Sequence, residues 1–469
     1  MPQPQPSTDA AEARAAWRAL RPTTWGMFAL AFMAAFESLA VTTVMPTVAE
    51  RLDGTELYAF AFAGTVAAGV VGMVAAGRWA DRDGPGRPLV VAAATFAAGL
   101  VVAGLAPTMP VLVAGRLVQG LGGGALSVVL YVVVGRLYPA VVQPRVFAGF
   151  SAAWVLPSLV GPPLAGLVAQ HAGWRWVFLG VALLTVPVAA VVLPAVLRVG
   201  APPVTDGPAA GSAHRLAWAT LAAAGVLGLN LAAQAEVPWS VVLAGLATVV
   251  SLAALRPLVP RGTLRMAAGL PAVIGTRGLL AGAFFGAEVY LPFLLIEDHG
   301  FSPTTAGVTL TAAAITWASA SWVQGRLGDR LPHARAITVG TVLVALAVVG
   351  VTVSAWLHLP PAYVIASWAV SGAGMGLTYA RQTVLVLAYS TPGTQGTNSS
   401  ALTTTDSLGA ALSLAVTGLV FNAAGAHAFA PTLAVTAVLA VGSALAATRI
   451  RRPAGEAQAE ETAATAARS

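Results

Sequence analysis

The chain has 469 residues, of which 57% are hydrophobic and 9% charged, and its formal net charge is +7. A soluble globular chain carries about 25% charged residues, so too few charges are present to wet a surface of this size, and a water-soluble fold is excluded. Cysteine is absent and all 25 basic residues are arginine, which removes disulfides, thiolate metal sites and a cysteine nucleophile.

The N-terminal segment, residues 1–24, begins MPQPQPSTDAAEARAAWRALRP and lacks the short apolar core and small-residue cleavage site of a signal peptide. From Trp25 to Thr448, apolar stretches recur between short polar breaks. A bilayer core about 30 Å thick needs roughly 20 helical residues to cross. Spans are predicted over 25–48, 58–77, 89–106, 110–137, 146–170, 174–197, 216–235, 239–256, 273–296, 304–325, 336–356, 361–389, 398–423 and 428–448, fourteen in all. The stretch APPVTDGPAAGSA, at 201–213, reads as a flexible linker. The tail over 449–469 is small and polar and is expected to be disordered.

Chemistry-bearing residues interrupt these spans in a recurrent order. Glu37 is the only charge between Trp25 and Met45. GRWADR, Gly77 to Arg82, returns as GRLGDR, Gly325 to Arg330, at an offset of 248. GLGGG, Gly120 to Gly124, is matched by GAGMG, Gly372 to Gly376, at 252, and Glu37 by Glu288 at 251. Three features at nearly one offset predict two related six-helix bundles, 25–197 and 273–448, with two inserted helices over 216–256. Cytoplasmic connections are expected over 198–215 and 257–272. Repeated halves are the mark of secondary transporters, which bind their cargo at the midplane between repeats.

Arginine position sets the orientation. With the N-terminus inside, nearly every arginine falls in an inner segment; Arg51 and Arg175 fall outside, and Arg116 and Arg381 lie within spans. Both termini are therefore expected on the cytoplasmic side. The positive charge is an orientation signal rather than a nucleic-acid footprint.

The motifs identify the chain as resembling the major facilitator superfamily, and within it the fourteen-span drug:proton antiporters. Gly77-Arg78-Trp79-Ala80-Asp81-Arg82-Asp83-Gly84 is similar to the signature G-x-L-a-D-R-x-G of the loop between helices 2 and 3. Arg116-Leu117-Val118-Gln119-Gly120 matches R-x-x-Q-G in helix 4, and Gly161-Pro162-Pro163-Leu164-Ala165-Gly166 is close to the helix-5 antiporter motif G-P-x-x-G-G. In helix 1, FESLAVTTVMP resembles L-D-x-T-x-x-N-x-x-x-P, with Glu37 at the acidic position and Pro46 at the proline, while Leu39 and Thr42 depart from it. The resemblance implies an all-α major facilitator fold, two six-helix bundles plus two inserted helices, and proton-coupled transport.

Glu37 lies about 18 Å into the membrane from Trp25 at about 1.5 Å per residue, and Glu288 at a similar depth from Arg277. An ionised group at such depth costs about 2.5–3.5 kcal/mol on insertion scales and usually faces a water-filled cavity. Burial favours the protonated form of a carboxyl group, so Glu37 and Glu288 are candidate proton carriers, the alternative being structural carboxylates satisfied by hydroxyls such as Ser38, Thr42 or Thr43. In the resembling family Arg116 assists proton transfer. Asp406 and Arg381 sit at equal depth on consecutive antiparallel helices, which permits an ion pair. Trp154, Trp317, Trp368 and Gln119 are candidates for the substrate cavity, the tryptophans by stacking on an aromatic or cationic compound, with core packing as the alternative. The resemblance implies a conformational latch at Asp81, with Asp329 as its repeat partner and Gly77, Arg82, Gly84, Gly325 and Arg330 around them. An acid at a helix boundary can bind the positive end of a neighbouring helix. Gly161, Pro162 and Gly166 are expected to give close packing and a bend in helix 5.

The expected function is a proton-coupled exporter of small hydrophobic or cationic drug-like compounds in the plasma membrane, a monomer that needs no cofactor or metal and has no nucleic-acid partner. A lipid exporter or a proton-coupled nutrient symporter of the same superfamily is the alternative. An enzyme is disfavoured: there is no Gly-x-x-x-x-Gly-Lys loop, no His-Glu-x-x-His and no nucleophile elbow.

Overall fold

The computed structural model describes residues 20–54, 57–199, 212–232, 235, 239–301, 303–327, 330–424 and 429–450, all helical or in short connections, with no strand among them. The helices are α1 (Arg21–Arg51), α2 (Tyr58–Asp83), α3 (Gly86–Gly104), α4 (Met109–Leu137), α5 (Gln143–His171), α6 (Arg175–Leu197), α7 (Ser212–Ala232), α8 (Trp239–Leu255), α9 (Leu270–Glu288), α10 (Leu291–Glu297), α11 (Pro303–Leu327), α12 (His333–Leu357), α13 (Pro361–Ala388), α14 (Gln395–Ala424) and α15 (Phe429–Ala447). Nine spans among the described residues are long and apolar enough to cross a membrane. Most of the linker 201–213, most of the N-terminal segment and most of the tail lie outside the described residues.

Each predicted span has its helix, with two differences of physical interest. The ninth is split: α9 stops at Glu288 and α10 resumes at Leu291. Pro292 has no N–H to give the Glu288 carbonyl, and its ring crowds that carbonyl. The second difference is a correction. Helix 2 does not end before the GRWADRDG motif but carries it to Asp83, because nothing breaks the helix until Gly84, whose φ of 81° lies in the region that favours glycine.

The internal repeat is visible as packing. In the first half α1 packs on α5 and α6, α2 on α4, and α3 on α4 and α6. In the second half α9 packs on α14 and α15, α11 on α13, and α12 on α13 and α15. The glycines mark the same contacts twice. A methyl group on Gly120 or Gly124 of α4 would strike the backbone of Thr65 or Gly69 in α2; on Gly372 or Gly376 of α13 it would strike Ala313 or Trp317 in α11. The α4 and α13 positions differ by 252 and the α2 and α11 positions by 248, the offsets of the sequence repeat.

The two halves meet mainly through α2 against α14 and α5 against α11. The inserted helices α7 and α8 pack on one another; α7 lies along α2, and both touch α14. Ala219, Ala222 and Val226 of α7 share an apolar cluster with Val70 and Val74 of α2 and Leu402 of α14, so the insertion bridges the halves on one side.

Gly124→Leu is expected to destabilise the protein by about 1–3 kcal/mol or more through forced separation of α2 and α4. Gly166→Ala, inside α5 at a position where a methyl group meets nothing within 4 Å, should instead stabilise by about 0.5–1 kcal/mol. Thermal unfolding in detergent reads both.

Candidate functional site

Glu37 lies sixteen residues into α1, about 24 Å along its axis, with only 4% of its side chain exposed. Its partner is Arg116 on α4, whose Nη1 donates to Glu37 Oε1. The same nitrogen donates to Gln119 Oε1 at 2.7 Å, and Arg116 Nε to the Ala61 carbonyl of α2 at 3.4 Å. Residues three apart share a helix face, so R-x-x-Q places an arginine and the amide that orients it side by side. Three helices thus converge on one buried charge pair. Ser38 is exposed, and the Thr42 and Thr43 side chains lie outside the described residues.

Glu288 does not reproduce this arrangement. It ends α9, is half-buried, and has no hydrogen bond or ion pair among the described residues. At the offset of 252 that relates α4 to α13, Arg116 corresponds to Trp368, which is fully buried and stacks on Phe284 with ring centroids 4.6 Å apart. Phe284 also meets Trp317 at 5.5 Å, and Trp317 meets Tyr379 at 5.1 Å. Trp317 and Trp368 therefore belong to an aromatic column within the second half. Trp154, by contrast, is 51% exposed on α5.

The second half has its own ion pair, partly buried, and it is not the expected one. Asp406 on α14 pairs with Arg277 on α9, Nε to Oδ1 at 2.6 Å, and accepts from the Tyr379 hydroxyl at 2.8 Å. The Arg277 guanidinium centre lies 3.3 Å from the centroid of the Tyr379 ring. Arg381 turns away, with Nε donating to Gln324 Oε1 at 2.6 Å, Nη2 to the Gln324 carbonyl at 2.8 Å, and Nη1 3.1 Å from His333 Nδ1. The reason is angular. Residues two apart on a helix point about 200° from each other, and Tyr379 takes the face of α13 toward Asp406.

The latch is a contact between the halves. Asp81 Oδ1 accepts the Gly396 N–H at 2.6 Å and Oδ2 the Thr397 N–H at 2.7 Å, so one carboxylate caps the first turn of α14. Those donors have no partner inside their helix, and the positive helix end favours an anion. Gly77, one turn back on the same face, lies so close to Gly396 that a methyl group on either would strike the other's backbone. Arg136, at the end of α4, adds bonds to the Ala80 carbonyl at 2.9 Å and the Pro392 carbonyl at 2.8 Å. Arg82 is not part of the clasp: it is exposed and pairs with its neighbour Asp83 at 2.9 Å. On the other seam Gly325 faces α5, where a methyl group would sit 3.1 Å from Ala148 Cβ; Arg330 is exposed, and Asp329 lies outside the described residues.

The helix-5 glycines differ from expectation. Gly161 sits at ordinary contact distance from Phe36, Gly166 faces open space, and Gly149 instead makes the close approach to α1, against Phe28. Pro162 lies within α5, with its side chain outside what is described.

The model of the Major Facilitator Superfamily matches residues 27–414 and 289–467. A probable multidrug-efflux transporter of Mycobacterium tuberculosis is 26% identical over 414 residues, covering 84% of this chain and 86% of that protein. Among solved structures, the human organic anion transporter MFSD10 (TETRAN) superposes with a TM-score of 0.68 at 16% identity, covering 91% of this chain and 99% of that one. The proton:xylose symporter XylE gives 0.66 at 14% identity, covering 91% and 94%.

Arg116→Ala should destabilise the folded protein by about 3–5 kcal/mol, because it leaves a buried carboxylate unpaired. The pair Glu37→Gln with Arg116→Gln should recover most of that in thermal unfolding. For the clasp, Ser400→Cys places a thiol where the buried Ser400 faces Gly77. Adding Asp81→Ala removes charge-assisted bonds worth about 1.5–3 kcal/mol and should speed labelling by a water-soluble maleimide about tenfold or more.

Proposed function

The chain belongs to the Major Facilitator Superfamily, and within it we propose that it is a proton-coupled transporter exporting small hydrophobic or cationic drug-like compounds by alternating access. The observation that carries this is the Glu37–Arg116–Gln119 cluster: a carboxylate deep in an apolar interior, held by a guanidinium from another helix. Such a pair has two stable charge states. Ionised, the carboxylate is balanced by Arg116; protonated, it is neutral, and Arg116 must turn to other acceptors such as Gln119 and the Ala61 carbonyl, which it already touches.

In this scheme the Arg-rich end faces the cytoplasm of a cell membrane, and the Asp81 clasp is the cytoplasm-closed state. Cargo leaves to the outside as Glu37 takes a proton. The halves then reopen inward, the proton departs, and the restored negative charge favours the next cationic compound. The proton gradient drives the cycle without a cofactor: for a neutral compound each inward proton also draws about 2.3 kcal/mol per 100 mV from the potential, whereas for a monovalent cation the charges cancel and the pH difference alone drives export. The efflux name of the mycobacterial relative, aligned over most of both chains, supports an outward direction and a drug-like cargo.

In energised everted vesicles, adding tetraphenylphosphonium should alkalinise the lumen when wild-type protein is present. Glu37→Gln should reduce that response at least about tenfold, as loss of a group needed in each cycle. Protons moving together with the cation would instead indicate symport. An undiminished response in Glu37→Gln would remove Glu37 as the carrier.

A further inference from the structure

We propose that a cleft between α12 and α15, at their ends opposite the arginines, binds a phospholipid whose headgroup ends in a primary ammonium, with Asp298 accepting that ammonium. The site is separate from the Glu37 cluster and from the clasp. It stands on its own observations, whether or not the export reading holds.

The last turns of α12 and the first turns of α15 leave space between them. The cleft has a volume of about 590 Å³ and is walled by Thr352 and Trp356 of α12 and by Ala430 and Ala434 of α15, within the roughly 300–1,000 Å³ of small-molecule sites. Thr352 precedes His358 by six residues, so the cleft reaches about 9 Å in from the helix end. Its chemistry changes with depth. The alanines keep it open and apolar, and the Thr352 hydroxyl is spent on the Val348 carbonyl at 2.8 Å. The charged groups, Asp298 and His358, come from the segments at its rim.

Asp298 directly follows α10 and keeps 22% of its side chain exposed. Its carboxylate accepts no hydrogen bond among the described residues. It has one ion-pair contact there, His358 Nδ1 at 3.7 Å from Oδ2, which is longer than a hydrogen bond. His358 is itself 72% exposed and free to turn into water. The outer turns of α10, α12 and α15 contain no arginine, and Glu297 adds a second negative charge beside Asp298. A largely buried carboxylate without a donor is best satisfied by a cation that carries N–H groups. A primary ammonium carries them, whereas a quaternary one has none. An anionic headgroup would be repelled.

The surface beyond the cleft makes the occupant a lipid rather than a small solute. Val349, Leu346 and Val342 continue the Trp356–Thr352 face of α12, all of them exposed. Val438, Val441 and Leu445 continue the Ala430–Ala434 face of α15 in the same way. Spacings of three and four residues keep each set on one side of its helix. The two helices pack on each other, and both are long and apolar enough to cross a membrane. Two apolar stripes therefore run side by side from the cleft toward the Arg-rich end. A small amine would end inside the cleft and leave them bare, while an acyl chain that starts there continues along them. Trp356, exposed at the top of the stripe, sits as an interfacial tryptophan does at headgroup level.

The test uses full-length protein in phosphatidylcholine nanodiscs and reads Trp356 fluorescence as the difference between wild type and Trp356→Phe. Phosphatidylethanolamine brominated near its headgroup should quench that component with an association about fivefold or more stronger than brominated phosphatidylcholine, the charge-assisted bonds of the ammonium making the difference. Asp298→Asn should erase the preference. Ala434→Phe fills the cleft and leaves the acid in place; it should erase the preference too, and it answers the question if Asp298→Asn fails to fold. Equal quenching of wild type by the two lipids overturns the proposal, as does a preference kept in either variant. Quenching by soluble bromobenzylammonium, without a preference between the lipids, would give the cleft to a small amine and likewise overturn the lipid.

Discussion

A charge inside an apolar interior must be neutralised or paired, and that constraint organises the centre of this molecule. Removing one member of a buried pair costs about 3–5 kcal/mol, because the other is left uncompensated. Glu37 with Arg116 and Asp406 with Arg277 satisfy it, and in each case the arginine comes from a different helix than the acid. The pairs are thus tertiary contacts as well as charge balances. A change of charge at either acid would alter both at once, since the same side chain balances the arginine and joins two helices.

The two halves share a frame but not a chemistry. The glycine contacts that seat α4 on α2 recur where α13 sits on α11, backbone against backbone at corresponding positions. On that common frame, Arg116 of the first half is replaced by Trp368, and Gln119 by Ser371. At the offset of 251 that relates Glu37 to Glu288, Arg277 falls on Gly26. The first half keeps its charge on α1 and α4, whereas the second fills the level of Arg116 with stacked rings and holds its charges on α9 and α14. Packing tolerates little change at a glycine whose added carbon would meet backbone. Arg116 and Trp368 are under no such backbone contact, and there the halves have diverged.

Much of the frame was legible in the sequence, because span length and glycine spacing are local signals. The buried position of Glu37 followed from a single acid in a long apolar run. The acidic motif at Asp81 followed from its recurrence, although its helical state did not: chain direction there is decided by Gly84, not by Gly77. What could not be read was azimuth. Arg381 and Asp406 were matched by depth, yet depth along a helix says nothing about which way a side chain turns. Arg277 looked like a charge near a helix end. α9 begins at Leu270, so the residue lies two turns inside, 129 positions from the acid it binds. Arg136 carried no signal beyond its place at the end of α4, and its bonds to Ala80 and Pro392 exist only because the halves meet.

The composition of the clasp fits the opening seam of the proposed transport cycle. Within each half, helices are joined by large apolar surfaces; Leu100, Leu112 and Phe178 in the first half and Leu291, Val348 and Leu433 in the second are almost fully buried. Burial of that kind stabilises by about 25 cal/mol per Å² and is not reversed cheaply. Between α2 and α14 near the Arg-rich end, the contact is made instead by Gly77, Asp81, Gly396, Thr397 and Ser400. Paired glycines let the backbones touch, and that closeness brings the Asp81 carboxylate within reach of two amide N–H groups at the start of α14. Any side chain at Gly77 or Gly396 would hold the helices apart and take those bonds away. When the clasp parts, its donors and acceptors can be met by water, whereas the apolar clusters that also bridge the halves, such as Val70 and Val74 with Leu402, lie apart from those polar contacts. The clasp is therefore specific when closed and cheap to release, a combination that an apolar interface of the same area would not give.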